Sequence, residues 1–375
     1  MPIKFLCLDD EAVKVEPIVQ LLQQANPDLE IEVRTPIQFD EEVRQLGKVK
    51  CDGLLLDLRL DRTADAEGNR VHYRALSLAQ ELRTRMTEGE MPSYPIVLWS
   101  VDDNFKLSYD KDETSHDLFD KQYYKAAITT DSRTAIANEM IDLANGYKTI
   151  NILKSRTVKN IYGRLIDLSE AFDVLDARIA SDIAENRSYP AHIFARSILR
   201  NLIVGGGPLV DESILAARLG IDRERSADWE KLKAKFVGSA KYTGIFSSAW
   251  PRWWMFKLVA QWKELSPAAP LQRLEAKERV DILKKQLKLT KLFPASGLEA
   301  KYDTRFWHVC KFLKVPISPT DAVQLSVDRR EWQDGIYASL KAVIDRLHKA
   351  NGYEIHSFER SRIDELMAEL RRGQE

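Results

Sequence analysis

Ile3-Lys4-Phe5-Leu6-Cys7-Leu8 runs straight into Asp9-Asp10-Glu11. A short, mostly apolar run of this kind reads as a buried strand, and the acids stand at its C-terminal end. Two later stretches repeat the chemistry: Leu54-Leu55-Leu56-Asp57, and Leu118-Phe119-Asp120-Lys121. Ligand sites in open α/β sheets collect outside the carboxyl ends of the strands. Carboxylates converging there make a hard-oxygen site suited to Mg²⁺, and one carboxylate can serve as a nucleophile toward phosphorus.

Working outward, strands are predicted at Ile3–Leu8, Leu29–Val33, Gly53–Leu58, Pro95–Trp99 and Leu118–Lys121. Helices are predicted at Val13–Gln24, Phe39–Leu46, Ala75–Arg85 and Thr134–Tyr147. Strands alternating with helices predict a parallel sheet covered on both faces. Asp9 and Asp10 end the first strand and Asp57 the third; Ser100 follows the fourth, and Lys121 ends the fifth. This order of Asp-Asp, Asp, Ser and Lys resembles the receiver domain of bacterial response regulators, over about residues 1–148.

The resemblance implies a flavodoxin-like α/β domain with a five-stranded parallel sheet. It implies that Asp57 is the phosphoacceptor, charged by a sensor histidine kinase, a phosphotransfer protein or a small phosphodonor. Mg²⁺ would be held by Asp10, by Asp9 directly or through water, by Asp57, and by the backbone carbonyl of Arg59. Lys121 would pair with the phosphoryl oxygens and Ser100 would hydrogen-bond one of them. Catalysis would be limited to the receiver's own phosphorylation and dephosphorylation. The sequence departs from the family's pattern in three places. Val101 stands where a small residue is usual, Gln122 where a proline follows the lysine, and Leu118 where an aromatic precedes it by three. The polar stretch from Asp61 to Arg70 makes the segment between Asp57 and Ser100 longer than in compact members.

The chain of 375 residues, 44% hydrophobic and 30% charged, fits a globular protein of two or three domains. No apolar run is long enough to span a bilayer, and the N-terminus enters a strand pattern with no signal-peptide layout. A cytoplasmic protein is expected, with Cys7, Cys51 and Cys310 as reduced thiols. The net charge of −1 hides an asymmetry. Residues 1–150 carry 18 basic and 28 acidic side chains, so the remainder is basic. Seven of the eight tryptophans also lie beyond residue 150. The expected organisation is a receiver at 1–148, a linking helix at 149–188 and a mostly helical output domain at 189–375.

Ile161, Leu165, Leu168, Phe172, Leu175, Ile179 and Ile183 fall close to a heptad seam. The seam admits a homodimer through residues 157–184, or an amphipathic helix packed on its own chain. Further on, helices are predicted at Pro190–Leu202, Glu212–Leu219, Ala227–Phe236, Trp253–Glu264, Ala276–Leu287, Trp332–Ala350 and Ser361–Arg371. Glu212 to Asp222 resembles the opening of a helix-turn-helix. Ser226 stands where that motif wants a buried aliphatic, however, and Asp228 and Glu230 would face DNA. Trp250, Arg252, Trp253, Trp254 and Trp262 could stack bases or build a core. Lys284, Lys285, Lys288 and Lys291 make a solvated or an anion-binding face. His308 and Cys310 lack a third metal ligand. No independent catalytic motif is found in this half.

Three outputs are open: a protein-interaction or dimerising domain, a nucleic-acid-binding regulator, and a phosphoryl sink competing with another receiver. In layout, a receiver fused to a Trp-rich helical domain resembles regulators of phage-defence operons, including the decoy receiver of a Detocs-type phosphorelay.

Overall fold

The structure, a computed structural model, describes residues 1–62, 68, 70–101, 104–105, 109, 113–154, 158–168, 175–298 and 303–372. Most of the polar stretch at 61–70 lies outside the described residues, as does Phe172 of the seam. The chain forms two compact units. One is Met1–Leu199 with Thr243–Trp250; the other is Arg200–Tyr242 with Pro251–Glu375.

In the first unit, β1 (Ile3–Leu8), β2 (Leu29–Arg34), β3 (Gly53–Asp57), β4 (Ile96–Ser100) and β5 (Lys121–Tyr124) form one sheet. Its order is β2-β1-β3-β4-β5, with every pairing parallel. This is the flavodoxin-like doubly wound order. Helices α1 (Ala12–Ala25), α2 (Phe39–Leu46), α3 (Ala75–Glu88) and α4 (Arg133–Leu153) supply the crossovers and the final cover. β3 and β4 are buried along their whole length, as a sheet covered on both faces requires. Register fixes depth along the strands. Leu55 is level with Cys7 and Val97, and Val97 with Lys121. Asp57 is level with Trp99, and Trp99 with Tyr123.

Residues 157–184 do not form one helix. α5 (Val158–Leu165) ends ahead of Asp167, whose φ is 56°, and α6 (Ala177–Asn186) follows as a separate helix. The two lie against each other, with Tyr162 Oη donating to the Ala180 carbonyl at 3.2 Å. Leu165, Leu168, Leu175, Ile179 and Ile183 are all buried within the unit. These five positions of the seam are therefore covered within the chain. α7 (Ala191–Arg196) packs on α4.

The segment Thr243–Trp250 returns to the first unit and straps α4. Ala249 N donates to the buried Asp142 carboxylate at 2.8 Å, and Ile245 N donates to the Leu165 carbonyl at 2.8 Å. Phe246 lies against Gly146, where a Cβ would stand 2.1 Å from the Phe246 ring. Only glycine leaves room for that ring.

The second unit is mostly helical, with three small sheets, β6–β7 (Leu209–Val210 and Trp253–Trp254), β8–β9 (His308–Val309 and Pro316–Ile317) and β10–β12 (Ala322–Ser326, Tyr337–Ser339 and Glu354–Ile355). Its larger core packs Trp229, Trp253 and Trp262 with leucines from α8 (Glu212–Leu219), α10 (Met255–Leu265) and α11 (Ala276–Leu287). Trp254 is fully buried too. These rings are core and offer no platform for bases. The predicted helix at Trp332–Ala350 is instead β11 followed by short helices at Leu340–Ile344 and Leu347–Ala350. Ser339 Oγ accepts from Ala342 N at 3.2 Å, so the chain turns helical only after it.

After α8, Gly220 takes φ 70° as its C-cap, and α9 (Trp229–Leu232) follows. Of the three residues that sequence sets against a helix-turn-helix, Ser226 and Asp228 are buried and Glu230 is exposed. Ser226 Oγ accepts from Phe293 N at 2.8 Å, and Asp228 accepts from Lys291 N at 2.9 Å. They hold segment 291–293 in place. Among the described residues, no helix is long and apolar enough to cross a membrane.

Candidate functional site

The acids arrive at one sheet edge because β1 and β3 are adjacent and in register, so Asp9 and Asp57 end side by side. Both are almost fully buried. The cation between them is Lys125. Its Nζ lies 2.7 Å from Asp9 Oδ2 and 2.7 Å from Asp57 Oδ1. It also stands 5.1 Å from the centroid of the Trp99 ring, a cation–π contact beneath the ammonium. Asp57 Oδ2 accepts from Arg59 N at 2.7 Å, and Asp9 Oδ1 from Glu11 N at 3.0 Å. Asp10 Oδ2 accepts from Arg62 N at 2.9 Å. The Arg59 guanidinium pairs with Asp61 at 2.7 Å.

Lys121, the lysine expected at this edge, is elsewhere. It opens β5 rather than ending it, level with Leu55 and two residues short of Asp57. At about 3.3 Å per residue that leaves it roughly 7 Å behind the edge. Its Nζ pairs with Glu139 at 3.1 Å and stands 5.5 Å from the Trp250 ring centroid. Glu139 also accepts from Tyr123 Oη at 2.7 Å. Lys125, beyond the strand's last residue, reaches the pocket. The signal in the sequence is the spacing: Lys121, Tyr123 and Lys125 alternate on one side of the extended chain, and only the last clears the edge. Ser100 ends β4 and is buried, with its Oγ accepting from Asn104 Nδ2 at 3.1 Å. Asn104 carries no motif and sequence reading missed it. Val101 is exposed.

Burial pushes the Asp57 carboxyl up to about 6, with Lys125 opposing the shift and Asp9 adding to it. Asp9 is raised for the same first reason, its burial. Burial pulls Lys125 down, but the charges of Asp57 and Asp9 outweigh it and the ammonium is held above its ordinary value. For Asp57 the folded carboxyl titrates above an unfolded one at about 3.9. Its contribution to stability is therefore full below that value and lost as pH rises through about 6. A nucleophilic Asp57 must be ionised. Its rate of modification by a small donor is expected to fall about tenfold per pH unit below about 6; initial rates from pH 5 to 8 would check this, and a flat profile would contradict it.

Among the described residues, no three acidic, imidazole or thiol groups converge as a metal cage. Mg²⁺ does not require one, since it binds through one or two carboxylates, substrate phosphate and retained waters. The donor set fits that chemistry: two buried carboxylates share one ammonium, so negative charge is in excess. His308, by contrast, stacks on Tyr337 at 3.9 Å, and Cys310 Sγ accepts from Ser339 N at 3.2 Å. Neither is placed as a ligand.

No protein-family model matches the chain, and no curated protein matches it. Similar solved structures include a CheY-like response regulator receiver domain from Methylobacillus flagellatus. It is 18% identical, with a TM-score of 0.27, over 37% of this chain and 99% of that one. NtrX from Brucella abortus is 16% identical, with a TM-score of 0.31, over 48% of this chain and 34% of that one. RcsB from Salmonella enterica serovar Typhimurium, bound to promoter rprA, is 15% identical, with a TM-score of 0.27, over 43% and 80%. By strand order and parallel pairing, the N-terminal part of the chain has a flavodoxin-like doubly wound fold.

Proposed function

We propose that the N-terminal domain accepts a phosphoryl group on Asp57 from a histidine kinase or phosphotransfer protein, and that the second unit, Arg200–Tyr242 with Pro251–Glu375, is the output. The observation supporting this is the Lys125 ammonium held 2.7 Å from both Asp9 and Asp57 at the C-terminal sheet edge. An ionised Asp57 oxygen attacks phosphorus, the O–P bond forms, and the P–N bond to the donor imidazole breaks with its electron pair leaving on nitrogen. Lys125 then meets a phosphoryl oxygen as a point charge. Ser100, freed from Asn104, donates to another. Asp10, Asp9, Asp57 and the Arg59 carbonyl would hold Mg²⁺. When bound, the ion would neutralise charge on the transferring group.

The test is intact-mass spectrometry of the wild type and Asp57→Ala with Mg²⁺ and a small phosphodonor, then with candidate kinases. One phosphate on wild type alone is expected. No phosphate from any donor, or equal labelling of Asp57→Ala, would sink the proposal. Light scattering before and after charging separates an output that changes assembly from a phosphoryl sink that does not.

A further inference from the structure

We infer that the surface around Phe293 in the second unit is a binding face for single-stranded nucleic acid. Phe293 is 38% exposed, so part of its ring is open to solvent. It is held rigidly. Its N–H donates to Ser226 Oγ at 2.8 Å, its carbonyl accepts from Asp222 N at 3.0 Å, and neighbouring Leu292 is fully buried. Two cations attend the ring, Arg225 at 5.2 Å and Lys284 at 5.6 Å from its centroid. Lys285, Lys288 and Lys291 are exposed on the same stretch of chain.

The acids of this region are largely occupied. Asp228 is buried, accepting from Lys291 N at 2.9 Å and pairing with Lys231 at 3.0 Å. Glu230 pairs with Lys233 at 2.7 Å. Glu224 and Asp281 are exposed. Across residues 222–235 and 281–293 there are nine basic and five acidic side chains. Lysines neutralise phosphates whatever the sequence, while an aromatic ring and a guanidinium plane both stack on unpaired bases. An acidic polypeptide could use the lysines and pack a side chain on the ring, but it lacks the regular alternation of phosphate and planar base that lysines, ring and guanidinium together match. The ring at the centre of the cations favours the nucleic acid.

The experiment is fluorescence anisotropy of a short, labelled, mixed-sequence DNA single strand with the full chain. Three phosphate contacts predict roughly a twentyfold loss of affinity between about 50 and 200 mM salt. Phe293→Ala is expected to weaken binding about tenfold and Phe293→Trp to restore it. Lys288→Glu with Lys291→Glu should reduce it further. Thermal melts should match wild type for the exposed lysine pair, and Phe293→Ala, which removes a partly covered ring, is compared well below its own melt so that lost binding is not lost folding. No binding at about 50 mM salt, or no response to Phe293→Ala, would overturn the inference. Polyglutamate competing as well as the oligonucleotide would also overturn it, pointing to an acidic protein. None of these readouts involves Asp57, so the phosphoryl-acceptor proposal stands or falls separately.

Discussion

Lys125→Ala is expected to lower phosphoryl acceptance by about a hundredfold or more, while Lys121→Ala charges like wild type. Lys125 is the one cation within 2.7 Å of both pocket carboxylates among the described residues. Its removal leaves Asp9 and Asp57 buried side by side with no compensating charge. Both carboxyls then rise further, and Asp57 is protonated where it must attack. The charge that would meet the arriving phosphoryl oxygens is lost as well, and preorganised electrostatic partners of this kind are worth a hundredfold or more. Lys121 is partly exposed and bonded to Glu139. Losing that pair and the Trp250 contact should cost only about 1 kcal/mol of stability. Intact mass after a fixed exposure to donor and Mg²⁺ decides. Loss of charging in Lys121→Ala with retention in Lys125→Ala would return the role to the strand's first residue.

Asp120→Ala is expected to destabilise the first unit by about 3–5 kcal/mol, the cost of stranding a buried charge. The Asp120 carboxylate accepts from Ile96 N at 2.8 Å, from Arg83 Nη2 at 2.8 Å and from Tyr147 Oη at 2.6 Å. Arg83 and Asp120 are both almost completely buried. The other guanidinium nitrogens are occupied by the carbonyls of Leu118 and Tyr94, at 3.0 and 3.2 Å. Without Asp120 the cation remains inside with no opposite charge. Urea unfolding checks this, and a loss below about 1 kcal/mol would contradict it. Arg83→Met combined with Asp120→Asn should recover part of the loss, because the charge is then gone as well.

These two expectations mark what sequence could and could not reveal. The parallel sheet and the positions of Asp9, Asp57 and Ser100 at the ends of their strands were legible, because runs such as Leu54-Leu55-Leu56-Asp57 and Ile96-Val97-Leu98-Trp99-Ser100 are buried strands closed by a polar residue. The fifth strand was misplaced by its own acid. Leu118-Phe119-Asp120-Lys121 imitates the pattern of the first and third. Here, though, Asp120 sits at the opposite, N-terminal end of its strand, bonded to a distant arginine and tyrosine. No local pattern distinguishes an acid at the N-terminal end of a strand from one gathered at the C-terminal edge of the sheet. The heptad-like seam was real as periodicity but silent about which surface covers it. The small sheets of the second unit escaped because strands of two to five residues carry no readable alternation. Ser226 and Asp228 looked wrong for their positions for a similar reason. Their partners, Phe293 and Lys291, are more than sixty residues away.

The strap at Thr243–Trp250 has a bearing on how the chain can be divided. Its base is closed by Tyr242 N donating to the Arg252 carbonyl at 2.8 Å and by a bridge between Lys241 and Trp253. The polypeptide passes between the compact units three times, after Leu199, after Tyr242 and after Trp250. No single cut separates them. A fragment ending at Leu199 would keep every strand of its sheet, yet would bare the notch at Gly146 and leave the Asp142 carboxylate without its backbone donor. A domain built from one continuous stretch would have no such dependence. Here the first unit takes part of its own cover from chain that lies beyond Arg200–Tyr242, so neither unit is one continuous stretch of sequence.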